Sequence, residues 1–190
     1  MSAVAASTPT TTTTDLAIAV PKWSEAALAV CFTVAVIAKL QLDWLLIALV
    51  PWAALLGVIA AIDFRELRVP NKLVGFGVLA ALPALALGSV LTSSAVSLSR
   101  AAFAAVAGLV LFGLCHIASP ASLGMGDVKL APYISAHLGM FSWQVWYRGL
   151  FYGFALVSVA GIIALVVART GRRTALPFAP FMALGAILAL

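Results

Sequence analysis

Charge is what this sequence has least of. Only six of its 190 residues are acidic, and charged residues of both signs make up 9%. An ordinary soluble domain carries about a quarter charged residues, so that class is excluded. Cysteine is nearly absent. Cys31 and Cys115 both fall inside apolar runs, with no Cys-x-x-Cys, so the chain encodes neither a zinc knuckle nor a disulfide framework. Both read as small buried hydrophobes. The two histidines, His116 and His137, fall near opposite ends of the expected helices and do not pair as metal ligands. Ser119 and Ser122 have no evident base, which removes a serine-hydrolase reading. No phosphate-binding glycine loop of the Walker type occurs. The net charge is +5, but the basic residues form no patch with interleaved aromatics, which argues against nucleic acid as a partner.

What the chain has in excess is apolar sequence. Hydrophobic residues make up 64%, and the mean hydropathy is +1.16. A core of 190 residues cannot bury that much, so lipid must solvate much of it. The uncharged runs are Ala26–Ala38, Trp44–Ile62, Leu73–Leu91, Ala101–Ala118, Leu130–Tyr147, Gly149–Ala168 and Thr174–Leu190. A spanning helix needs about 20 mostly apolar residues. The first run is short and must extend through Glu25 or Lys39, whose long side chain can snorkel. The fifth is more polar and is expected to leave the membrane near Gly139. Prolines 51, 83, 132, 177 and 180 interrupt several runs, which membrane helices tolerate when neighbours satisfy the freed carbonyls.

The expected fold is therefore all-α: a polytopic membrane bundle of about seven transmembrane helices. Residues 1–23, rich in Ser, Thr and Ala, read as a disordered tail. Residues 24–43 form a retained N-terminal helix without a signal-cleavage site. Residues 44–190 form the main membrane unit. With a cytoplasmic N-terminus, eight cations lie inside: Lys22, Arg65, Arg68, Lys72, Lys129, Arg169, Arg172 and Arg173. Three lie outside, namely Lys39, Arg100 and Arg148, and the imbalance favours this orientation.

Against this background two aspartates stand out. Asp63 closes the run Trp44–Ile62 and opens the loop Asp63-Phe64-Arg65-Glu66-Leu67-Arg68-Val69-Pro70-Asn71-Lys72. Pro70 biases Val69 away from helix, so the break is real, and Asn71 can cap the next helix. Asp127 closes Gly124-Met125-Gly126-Asp127, followed by Val128-Lys129. Gly124 and Gly126 permit close approaches that a Cβ resists. Two helices separate the aspartates, so both fall on the same face in either orientation, and on the cytoplasmic face in the favoured one. A carboxylate at a membrane boundary needs a partner, water or a task. Two brought together share a proton, which is aspartic-protease chemistry. The bland alternatives are that Asp63 balances Arg65 and Arg68, and that Asp127 caps a helix starting at Val128. A third segment, Pro177-Phe178-Ala179-Pro180-Phe181, disrupts a helix start on the same side.

Together these segments resemble the prepilin (type IV leader) peptidases and their preflagellin relatives. Asp63-Phe64-Arg65 with Val69-Pro70-Asn71 is similar to the family's first catalytic segment. Gly124-Met125-Gly126-Asp127-Val128-Lys129 is similar to its Gly-x-Gly-Asp-x-Lys segment. Gly171-Arg172 and Pro177 to Phe181 resemble its closing Pro-Phe-Gly-Pro-Phe element, with Ala179 where many members have glycine. The resemblance covers roughly residues 44–190 and makes the 24–43 helix an addition to a six-helix core. It implies an endopeptidase with Asp63 and Asp127 catalytic and no metal or organic cofactor. Gly124, Gly126, Lys129, Arg65, Pro70, Asn71, Pro177, Phe178 and Pro180 are then expected to position the site. Its substrate would be a prepilin or pseudopilin with a basic leader, cleaved at the cytoplasmic face of the inner membrane. The paired cysteines of bifunctional members are missing, so N-methyltransferase activity is not expected. Two other classes use the same residues differently: a small proton-coupled transporter with an aspartate relay, and a structural assembly subunit.

Overall fold

A computed structural model of the protein describes residues 23–40, 46–91, 95–120, 123–166 and 176–190. The N-terminal tail, Asp43, Ser122, Gly171 and the Arg169–Arg173 cluster lie outside the described residues. Those that are described form seven helices and no strand. They are α1 (Trp23–Leu40), α2 (Leu46–Glu66), α3 (Asn71–Leu91), α4 (Ala95–Ala118), α5 (Met125–Phe141), α6 (Trp143–Val166) and α7 (Ala179–Ala189). The fold is thus all-α. Three helices, over Asn71–Val90, Ser97–Ala118 and Trp143–Val166, are long and apolar enough to cross a membrane.

The helices pack mainly as three hairpins: α1 on α2, α4 on α5, and α6 on α7. Helices α2 and α7 then meet, and α3 leans on α2 and α5. The apolar sequence is distributed in two ways. Helices α3, α4 and α6 present large apolar side chains outward, among them Phe76, Leu79, Phe103, Leu114, Phe151 and Ile162. Most of α5 and α7 is instead buried. Apolar residues on every face suit a bundle whose periphery meets lipid and whose centre meets other helices. His137 lies in that centre. It is stacked on Trp52 at 5.2 Å, with its Nδ1 2.8 Å from Tyr133 O.

Three boundaries differ from the sequence expectation. The terminal run was expected to span from Thr174, but α7 starts at Ala179, because Pro177 precedes it and Pro180 sits in its first turn. Its 11 residues rise about 16 Å, roughly half a hydrocarbon core. The run Leu130–Tyr147 is divided: Ser142 is extended between α5 and α6. Arg148, expected in an external loop, therefore lies inside α6, where it bonds the Gln144 carbonyl at 3.3 Å. Finally, α2 continues one turn beyond Asp63 and ends where Leu67 adopts φ 49°, a left-handed conformation that satisfies the Asp63 carbonyl through the Leu67 N–H at 2.8 Å.

The other two cations expected outside have structural partners at the opposite end of the bundle from Asp63. Arg100 donates to the carbonyls of Gly139, Met140 and Phe141 at 2.7, 2.7 and 2.8 Å. Lys39 donates to Leu188 O at 3.1 Å. Each cation meets carbonyls that a helix end leaves unpaired, where the dipole favours positive charge. Arg100→Ala should therefore destabilise the α4–α5 hairpin by about 2 kcal/mol, since it strands three carbonyls. Unfolding of the reconstituted protein would measure this, and an unchanged midpoint would show that the carbonyls find other donors.

Candidate active site

Asp63 belongs to the last turn of α2, just past the apolar run that ends at Ile62. Asp127 belongs to the first turn of α5, before the run that begins at Leu130. The chain between them crosses the bundle twice and returns both to one end. The α2–α3 loop then clips them together. Val69 is buried, and a Cβ on Gly126 would lie 2.8 Å from Val69 Cβ, so the Gly-x-Gly-Asp turn approaches that loop more closely than any side chain would permit. A second link crosses the same seam: Lys129 Nζ donates to Asn71 Oδ1 at 3.1 Å. A third fixes the turn from α4, where His116 Nδ1 lies 2.7 Å from Leu123 O.

Both carboxyls are buried, with 4% of Asp63 and 7% of Asp127 exposed. Asp63 Oδ2 accepts the backbone N–H of Ala179 at 3.0 Å. That donor is the first amide of α7, one of four a helix start leaves free. Asp127 Oδ1 is buried and has no hydrogen-bond partner among the described residues. Burial raises the Asp63 pKa, against which the Ala179 and Phe178 backbone amides act. Burial, then the neighbouring Asp63 charge, pushes Asp127 up to about 7, partly offset by the Gly124 backbone. One proton is therefore easily kept on the pair near neutrality, and its titration belongs to the pair.

The segment that brings Ala179 to Asp63 is itself held by aromatic packing. Phe178 meets Phe112 and Phe154 with ring centroids 5.9 and 5.5 Å apart, and those two rings are 5.3 Å apart. Pro177 precedes this anchor and Pro180 is buried in the first turn of α7. Beneath them α6 and α7 touch backbone to backbone. A Cβ on Gly185 would fall 2.7 Å from Gly149 O and against the Gly153 amide nitrogen.

Several expectations about individual residues change. Arg65 does not balance Asp63. It bonds Glu25 at 2.7 Å, on the added helix α1, and Glu66 at 3.2 Å. Asp127 is not the N-cap of α5: Gly124 is, without a side-chain cap bond, and Asp127 lies in the first turn. Asn71 is the first residue of α3, and its side-chain oxygen takes Lys129. Pro70 precedes it, half-buried, with its carbonyl bonded by Val74 N–H at 3.1 Å. Sequence reasoning missed Glu25, His116 and the Ala179 amide. Their partners lie 40, 7 and 116 residues away, and no local spacing announces them. Among the described residues no three His, Cys, Asp or Glu side chains gather as a metal site.

A helical membrane protein with two buried, interacting carboxyls at one end of its bundle is the class these features define. The chain belongs to the type IV leader peptidase family, whose family model matches residues 49–167. Over 140 residues it is 29% identical to a prepilin leader peptidase/N-methyltransferase of Bacillus subtilis (strain 168), covering 74% of this chain and 53% of that protein. The chain thus spans about half the length of that curated relative. No solved structure matches it.

Proposed function

We propose that this protein is a membrane-embedded aspartic endopeptidase that removes the basic leader from type IV prepilin-like proteins. The observation that carries the reading is that Asp63 and Asp127 are both buried at one end of the bundle, near enough for the Asp63 charge to act on Asp127, with Asp63 bonded by the first amide of α7. Such a pair activates water with one carboxylate and polarises the scissile carbonyl with the other. Family membership supports the same chemistry. A proton-coupled transporter would need its acids along a through-path near the midplane. Here both sit at one end, with cationic caps at the other.

The eight-to-three imbalance of cations counted along the sequence favours a cytoplasmic site, a cytoplasmic N-terminus and residence in the inner membrane. The substrate would lay its apolar helix in the bilayer and extend its leader junction to the acids. Lys129 and Arg65 are engaged by Asn71 and Glu25, so they position the site and do not receive a basic leader. Cys31 and Cys115 form no Cys-x-x-Cys, and cleavage by this chain is accordingly proposed without methylation of the new terminus. Co-expression with a candidate prepilin, read by intact mass, tests the proposal. The expected product is the leaderless chain without an added methyl group. An uncut substrate across a panel of prepilins counts against the peptidase, and a methylated product against the second claim.

A further inference from the structure

The two carboxyls are not equivalent. Asp63 receives a helix-start amide at 3.0 Å from Ala179, and the Phe178 backbone adds to it. Hydrogen bonds of this kind favour an ionised acceptor. The Gly124 backbone reaches the Asp127 carboxyl, but its Oδ1 is buried with no hydrogen-bond partner among the described residues. A negative charge is costly on such a buried, unbonded oxygen, and the neutral acid avoids that cost. The ionisable groups at this end of the bundle do not reverse the contrast. Glu25 and Glu66 bond Arg65, Lys129 bonds Asn71, and no cation within salt-bridge range of either aspartate occurs among the described residues, Arg68 and Lys72 included.

On the endopeptidase reading above, we infer that the backbone N–H of Ala179 divides the labour of the pair. It holds Asp63 as the carboxylate that takes a proton from water, and leaves Asp127 as the acid that protonates the scissile carbonyl. The water oxygen bonds the carbonyl carbon as its proton passes to Asp63, and the C=O π pair takes the proton of Asp127. In the resulting gem-diol, Asp127, now ionised, removes a hydroxyl proton as C=O re-forms. The C–N bond breaks, and the proton on Asp63 passes to the leaving nitrogen. Water is consumed and both aspartates return to their starting forms. Ala179 is a positioning residue here: it acts through Asp63 and touches no reacting atom. The closing Pro-Phe-Ala-Pro-Phe segment thus has a chemical task beyond disrupting a helix.

The test has an arm that needs no substrate. In bilayers, infrared spectroscopy of the full chain at about pH 6, where exposed carboxylates are ionised, should detect a protonated carboxyl. That band should vanish in Asp127→Asn and survive, titrating at lower pH, in Asp63→Asn. The reverse pattern, or loss of the band at all pH in both variants, overturns the inference. These readings hold even if no prepilin is cut, so failure of the peptidase reading is seen separately. The second arm replaces residue 179 by its α-hydroxy analogue, which exchanges the N–H for an ester oxygen. The acidic limb of the cleavage profile should move up by about one pH unit, a tenfold change in the Asp63 ionisation constant. Ala179→Gly, which keeps the N–H, should leave that limb in place. An unmoved limb in the ester protein overturns the assignment of Ala179. A limb moved equally by both replacements overturns it too, because the effect would then be structural.

Discussion

Asp63→Asn and Asp127→Asn should each lower leader cleavage by on the order of a thousandfold or more, while the protein still inserts and folds. The amide is nearly isosteric with the carboxyl but cannot cycle between acid and base. Both side chains lie at the bundle end and fill the same volume in either form, so the loss should be one of rate. Asparagine at 63 can still accept the Ala179 N–H, and at 127 it replaces a neutral acid, so stability should change little. Aspartate-to-glutamate changes should also fail, by on the order of a hundredfold, because one methylene shifts the carboxyl by about an ångström. The double asparagine variant should be no worse than either single one, since the two act as a unit. Asp15→Asn and Asp43→Asn, outside every motif, should cleave normally. The measurement is single-turnover processing of a prepilin in proteoliposomes. Wild-type rates in either single variant would remove the aspartic-protease assignment.

Gly185→Leu should cost about 3 kcal/mol or more, beyond the usual cost of overpacking. The reason is what its Cβ would meet: the Gly153 amide and the Gly149 carbonyl, which are backbone and cannot rotate aside. The α6–α7 hairpin would have to open, and Ala179, six residues earlier on the same helix, would leave Asp63. Leu184→Ala provides the comparison. Leu184 is 40% exposed on the neighbouring face, and its loss should change little in lipid. Denaturant unfolding in bicelles reads the first effect and prepilin processing the second. A Gly185→Leu protein of normal stability would mean that the two helices do not meet at this point.

The sequence made the helical class readable because a chain this poor in charge has only one solvent that suits it. Asp63 and Asp127 were visible for a related reason: among so few acidic residues, two at the ends of apolar runs invite explanation. Only part of what surrounds them was legible. Arg65 looked like a partner for Asp63 because they are two residues apart, whereas its guanidinium turns to Glu25 on a helix outside the matched family region. Arg100 counted as a topology charge, although its fork is spent on three carbonyls of α5. The length of α7 was overestimated because hydropathy continues through Pro177 and Pro180, while helical hydrogen bonding does not. His137 looked like a residue near the membrane edge and is packed between Trp52 and Tyr133. For Arg65 and Arg100 the deciding contact is long-range, and local pattern carries no trace of it.

The bond between Ala179 and Asp63 joins residues 116 apart in the chain. A nascent chain is made from its N-terminus at about 5–20 residues per second, so several seconds separate the emergence of the two partners. Helices α1 to α6 are synthesised before the amide that Asp63 accepts exists. The contact that sets the two acids apart can therefore form only after α7 has been made and has docked on α6. Until then both carboxyls are present without the contact that sets them apart, and on the proposed endopeptidase reading proteolytic competence waits for α7.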